Sequence, residues 1–207
     1  MLEHIPRWLG KALSGLRAGQ DKLAIAQPGL GSFEAIRLMS PAFANGARLP
    51  ERFTADGAGV SPPLYWTGVP DGTARLALLV EDADAPTPSP LVHAVVWDLP
   101  AEVEDLKEGA IVADASSATD DGRDVGRNSY FAEGWLPPDP PTGHGVHHYA
   151  FQLFALSDGP DVRDNPSRSA IVKAMRGRVL AAGVLTGTYS RGEQAPVGPF
   201  GAAQPAT

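Results

Sequence analysis

Residues 75–100 read RLALLVEDADAPTPSPLVHAVVWDLP, and the way this stretch divides sets the fold class. Residues 76–80 and 92–99 are apolar runs rich in β-branched side chains, with the length and composition of buried strands. Between them, Asp82-Ala-Asp84-Ala-Pro86-Thr-Pro88-Ser-Pro90 cannot continue either strand. Each proline lacks the amide donor that a sheet ladder needs and restricts the residue before it. Two carboxylates therefore sit on a stiff turn at a strand end, and His93 begins the next strand. Such rigid loops on a β scaffold commonly carry binding chemistry.

Taken locally, these residues leave two readings open. Asp82 and Asp84 can bond their own backbone as Asx-turns do, Asp84 more readily than Asp82. His93 can be a satisfied structural histidine. The alternative is that the three groups face one pocket.

Composition narrows the choice. A chain of 207 residues with 23 glycines, 20 prolines and many short apolar runs favours one loop-rich β domain over a helical bundle. A net charge of −7 argues against nucleic acid as the main partner, which needs a basic surface. A small anion remains compatible, because a pocket can be locally positive on an acidic protein. The chain has no cysteine, so thiolate chemistry, disulfides and Cys-type zinc sites are absent. No apolar run reaches transmembrane length, and the expected location is cytoplasmic.

In chain order, the first 25 or so residues place Leu2, Ile5, Trp8, Leu9, Ala12, Leu13 and Leu16 at helical spacing among basic residues. That predicts an amphipathic helix, docked on the domain or on a second subunit, or lying on a membrane surface. Its charges interrupt the unbroken apolar centre a secretory signal needs. Residues 27–32 read as a linker. Short strands and turns follow, with a tight turn at Asn45-Gly46. Residues 101–127 are acidic and small-residue rich, which predicts a long solvated excursion. From His147 strand alternation returns, placing His147, Tyr149, Phe151 and Leu153 on one face and His148, Ala150, Gln152 and Phe154 on the other. Asn165-Pro166 predicts a helix start, and Ile171, Val172, Met175, Val179 and Leu180 form its apolar face, with Gly183 as its stop. Residues 184–189 predict a last strand, and residues 192–207 a disordered tail. The expected organisation is residues 1–28 as helix and linker, 29–191 as the domain, and 192–207 as tail.

Seen together, LMSPAFANGARLPERFTADG, VSPPLYWTGVP, VEDADAP, HAVVWDLP, GRNSYF, PPDPPTGHGVHHY and VLTGTYSR resemble the phosphatidylethanolamine-binding protein family, in its bacterial branch often labelled Raf-kinase-inhibitor-like. The pieces run from about Glu34 to Arg191. The resemblance implies a mostly β fold, a Greek-key-type β-sandwich with a few peripheral helices, to which the N-terminal helix is an addition. It also implies a small pocket for phosphate or a phosphorylated small molecule or lipid head group. Carried over residue by residue, Asp82, Pro86, His93, Pro138, Pro141, His147 and Tyr149 bind that ligand, and Asp84 has a structural role. The sequence departs from the pattern at His148, where the family usually has arginine. It departs again at Leu91, Val92 and Ala94 in place of aromatic residues, and at Pro137-Pro138 in place of Gly-Pro.

A nearby aspartate favours the charged form of histidine, and two imidazolium groups with a phenol would offer charge-assisted donors to phosphate oxygens. The expected function is a non-enzymatic binding or regulatory protein without metal or cofactor. The resemblance adds inhibition of a kinase or protease, and a homodimer as precedent. Two other classes compete: a metal-dependent zinc hydrolase using His93, His144, His147 and His148 with two aspartates, and a membrane-surface or scaffold protein acting through the first helix. Against the hydrolase, alternation sends His147 and His148 apart, and neither an HExxH nor a GxSxG motif is present.

Overall fold

The computed structural model describes residues 11, 13, 15–113, 124–159, 162 and 164–191. Within them the chain forms β1 (Glu34–Ala35), β2 (Arg37–Met39), β3 (Leu64–Thr67), β4 (Arg75–Asp82), β5 (Leu91–Pro100), β6 (Asp105–Leu106), β7 (Asp124–Gly126), β8 (His147–Leu156), one short helix α1 (Arg168–Met175) and β9 (Val179–Tyr189). The fold is mostly β, in two sheets. One has six strands in the order β1-β9-β8-β4-β5-β7, and the other has three in the order β2-β3-β6. Only β1 and β9 run parallel among these pairs.

Because β4 is buried from Leu76 to its end, each of its faces must meet a separate apolar layer. Leu76, Leu78 and Val80 join Tyr149, Phe151 and Leu153 of β8 and Leu38, Leu64 and Trp66 of the small sheet in one core. Ala77 and Leu79 point the other way and pack with Phe154, Ile171, Val172 and Met175 under α1. The alternation expected from His147 onward is observed: Tyr149, Phe151 and Leu153 share the inter-sheet core, while Phe154 lies under the helix.

Polar residues on the helix side are paired. Glu81 is fully buried. Its carboxylate accepts from the Ala24 amide at 2.7 Å, from Gln152 Nε2 at 2.7 Å and from Arg168 Nε at 2.5 Å. Gln152 Oε1 in turn accepts from the Ile25 amide at 2.8 Å. The segment before the first strand is thereby fastened to the sheet.

The strand pairing of β4 with β5 is interrupted in a way that matters below. Val80 pairs with Ala94, but the next residue, Glu81, pairs with Val92. His93 is the extra residue of a β-bulge, a device that re-aims a side chain.

Three expectations are corrected. The N-terminal amphipathic helix does not extend through residue 25. Residues 1–10, 12 and 14 lie outside the described residues, and Lys11 and Leu13 have helical backbone, but the chain then leaves the helix at Gly15. Three single 3-10 turns follow, Gln20–Lys22, Ala24–Ala26 and Pro28–Leu30, and Leu30 is buried in the helix-side core rather than exposed in a linker. Next, α1 is capped by Ser167, whose side chain accepts from the Ala170 amide, and it ends at Met175. Asn165 instead has φ 51°, and Gly177, at φ 71°, terminates the helix. Val179, Leu180 and Gly183 therefore belong to β9. Finally, the 101–127 excursion contributes β6 and β7 and buries Leu106, Ile111 and Val125 in the inter-sheet core. The expected tail, 192–207, lies outside the described residues.

Gly183 has a packing reason to be glycine. A Cβ there would overlap the carbonyl oxygen of Ile36, whose chain crosses β9 beside β1. Backbone cannot swing aside as a side chain can, so Gly183→Ala is expected to cost about 1–3 kcal/mol. Urea denaturation measures this, and an unchanged midpoint would show that β1 yields freely.

Candidate functional site

The site lies at the end of the six-stranded sheet where β4 stops and β8 begins. Asp82 pairs with Tyr149 across that edge, which leaves His147 just beyond the end of β4. Asp82 does two things at once. Its Oδ1 accepts from the Asp84 amide at 2.8 Å, closing an Asx-turn, and its Oδ2 accepts from His147 Nδ1 at 2.7 Å. The two local readings of this aspartate are therefore compatible.

The bonding of the histidines follows from groups that can only accept. His144 Nε2 donates to the Leu13 carbonyl at 2.9 Å, and His144 Nδ1 meets His147 Nε2 at 2.7 Å. Burial, then the neighbouring His147, lowers the pKa of His144 and favours its neutral ring. His147 is thus engaged at both nitrogens, Nε2 with His144 Nδ1 and Nδ1 with the Asp82 carboxylate. Neither nitrogen is left for the cavity.

His93 is placed by the β5 bulge. Its Nδ1 donates to the Leu136 carbonyl at 2.6 Å, and its ring meets Tyr149 edge-on with centroids 5.0 Å apart. Burial lowers its pKa more than the Asp82 charge and the Leu136 bond raise it, so the imidazolium expected from a neighbouring aspartate does not form. Burial, with Asp82 second, raises the Tyr149 phenol well above its ordinary value and keeps it protonated. His93 Nε2 and the Tyr149 hydroxyl are both shielded from solvent and lack any hydrogen-bond partner among the described residues.

These groups floor a cavity of about 520 Å³, walled by Leu13, Ala55, Ala85, Pro86, Thr87, Leu91, Tyr130, Leu136 and residues of the proline loop. The proline loop is held from behind by Arg191, only 9% exposed, which bonds the Asp56 carboxylate, the Asp139 carboxylate and the Pro140 carbonyl. The Arg191 bond, opposed by burial and aided by the Tyr189 hydroxyl, holds the Asp56 carboxyl below the usual range. Asp82, Pro86, His93, Pro141, His147 and Tyr149 all line this cavity. Pro138 does not; its carbonyl accepts from the Ala55 amide at 2.9 Å, and its neighbours Pro137 and Pro140 form the wall.

Asp84 is outside the lining. Its Oδ2 accepts from the backbone amide and Nδ1 of His148, and its Oδ1 from Arg17. Burial would raise its pKa, but the bonds from His148 and Arg17 outweigh this and lower it. His147 and His148 thus serve different aspartates on opposite faces of the strand. Among the described residues, no group of three or more His, Asp or Glu side chains is placed to hold a metal ion.

The sequence reading missed Leu13, Leu136 and Asp139 as wall residues, together with the bond that His144 makes to His147. The Pro137-Pro-Asp-Pro-Pro141 run was a visible signal for the wall. The sequence placed Leu13 only on the apolar face of a docked helix, with no sign that it reaches the cavity from far along the chain.

Residues 39–190 match the sequence model of a family described as phosphatidylethanolamine-binding protein. A UPF0098 protein of Methanothermobacter thermautotrophicus is 38% identical over 157 residues, 76% of this chain and 100% of that one. A candidate lipoprotein, LppC, of Mycobacterium tuberculosis is 35% identical over 158 residues, 74% of each chain. Among solved structures, Escherichia coli YbcL, described as a member of the mammalian family, superimposes with a TM-score of 0.70 at 30% identity, covering 75% of this chain and 98% of that one. A homologue from Chlamydia trachomatis gives a TM-score of 0.68 at 30% identity over 76% of this chain and 99% of that one. No helix among the described residues is long and apolar enough to cross a membrane.

Proposed function

This chain belongs to the phosphatidylethanolamine-binding protein family, in the UPF0098 branch that includes YbcL, and on that premise we propose that it is a non-enzymatic binding protein whose cavity takes the phosphoryl group of a small molecule or lipid head group. The observation that carries this reading is the pair of unpartnered polar atoms, His93 Nε2 and the Tyr149 hydroxyl, among the residues that line the cavity. A buried polar group without a partner costs about 1–3 kcal/mol, and one that faces a cavity is explained when a bound ion completes its bonding. A phosphate does so here: its oxygens accept from Tyr149, and from His93 once that ring is protonated. Pro86, Pro141 and Leu136 give the substituent an apolar wall. Titration of the full chain with inorganic phosphate, followed by calorimetry, tests the reading. Saturable one-site binding supports it, and the absence of any binding at millimolar phosphate rejects it.

The protonation of His93 sets a pH dependence. In the free protein its pKa lies below the ordinary value of 6.5. The unfolded chain then binds more protons, so stability from this group is full above pH 6.5 and is lost as pH falls towards the lowered value. An anion beside Nε2 favours the charged ring and draws a proton with it. Affinity should therefore rise on acidification, by at most about tenfold per pH unit for one coupled proton. Sulfate, which does not titrate in this range, separates the protein's protonation from the ligand's. A sulfate affinity that is flat from pH 7.5 to 5.5 would remove His93 from the binding step.

A further inference from the structure

The residues before the first strand reach the cavity although they lie outside the family match, which begins at residue 39. Leu13 lines the cavity, and its carbonyl accepts from His144 Nε2. Arg17 pairs with Asp84 and donates to the Val146 carbonyl at 3.1 Å. The Ala18 amide donates to the Ala85 carbonyl at 3.0 Å, and the Gly19 amide to the Ala83 carbonyl at 2.8 Å. All of these partners lie on two loops that frame the site, residues 83–85 and 144–146.

With this segment seated, the polar floor is withdrawn. Asp82 is engaged by Asp84 and His147, His147 by Asp82 and His144, and the remaining two atoms are shielded from solvent. The bond from His144 to Leu13 holds the His144 ring on His147 Nε2, the nitrogen a ligand oxygen would need. The segment is held by these polar bonds and by the buried Ala18, whereas Leu16, its large apolar side chain besides Leu13, is 57% exposed. Elements with few buried apolar contacts are those that open at low cost.

We propose that residue 13 and residues 15–19 act as an autoinhibitory strap, which caps His147 through His144 and walls the cavity with Leu13, so that a phosphoryl group binds as the strap lifts. The inference rests on the phosphoryl-binding reading above and adds its regulation. Lifting the strap deprives His144 of its acceptor and frees Nε2 of His147, whose other nitrogen is already bonded to the Asp82 carboxylate, to meet a ligand oxygen.

The absence of cysteine from the chain allows a single reporter. A spin label on Leu16→Cys in the full chain should become mobile as inorganic phosphate saturates the site. Arg17→Ala should bind phosphate about five- to tenfold more tightly, the lower part of the usual range of coupling between sites, despite removing a positive charge near the anion. Ala18→Pro, which lacks the amide that bonds Ala85, should do the same and guards against an effect peculiar to Arg17. Affinities equal to or weaker than the parent's in both variants, with a static label, overturn the strap alone. Failure of parent and variants alike to bind phosphate overturns the phosphoryl reading and the strap with it.

Discussion

Replacing Arg168 by methionine is expected to lower the unfolding free energy by about 3–5 kcal/mol, the usual cost of removing one partner of a buried ion pair. Glu81 is fully buried and Arg168 is its only ionic partner among the described residues. Methionine replaces the volume of the arginine stem, so the loss reports the stranded carboxylate rather than a cavity. The Ala24 amide and Gln152 Nε2 would remain as donors, but both are neutral. The double variant Arg168→Met, Glu81→Gln should recover much of the loss, because the buried charge has then gone. Chemical denaturation of the four chains in the cycle measures this. If Arg168→Met lies within about 1 kcal/mol of the parent, well below the cost of a stranded buried charge, the carboxylate has found water or another partner. Arg168 also donates to the Lys22 carbonyl at 2.6 Å, so the variant should loosen the segment that leads into the strap.

This ion pair shows why part of the architecture could be read from the chain and part could not. Strands β4, β5 and β8 were legible because burial on both faces demands continuous apolar runs, and those runs are local. The two faces of β8 were legible because strand periodicity is fixed by backbone geometry. The partnership of Glu81 with Arg168 was not, since the two are distant in sequence and no local pattern marks them as neighbours. Nor was the aim of His93. Strict alternation would have put it on the face of Val95, under the helix, and only the bulge against Glu81 brings it to the Tyr149 side. The end of α1 was misplaced because Val179 and Leu180 happen to continue its apolar spacing. The signal that would have corrected this is Gly177, which takes the left-handed conformation that follows a helix end. The wall formed by Leu13 was illegible for the same reason as the ion pair: it is a contact between remote segments.

Tyr149→Phe separates binding from folding most sharply. In the free protein its hydroxyl has no partner among the described residues, so removing it deletes no observed bond and relieves a buried polar atom. Stability should hold or rise by up to about 1 kcal/mol, a part of the desolvation cost of an unsatisfied group. Binding should respond in the opposite direction. The hydroxyl is the one donor of the floor that is already protonated and uncommitted, and a hydrogen bond to a charged ligand is worth about 1.5–3 kcal/mol. The phosphate dissociation constant should therefore increase roughly 10- to 100-fold. A general weakening of the fold would lower stability and affinity together, whereas the site described here predicts a variant that is at least as stable and binds poorly. Calorimetric titration with phosphate, paired with thermal denaturation of the same sample, reads both quantities. A loss of stability with unchanged phosphate affinity would place the Tyr149 hydroxyl in the scaffold and leave His93 and His147 as the only candidate contacts.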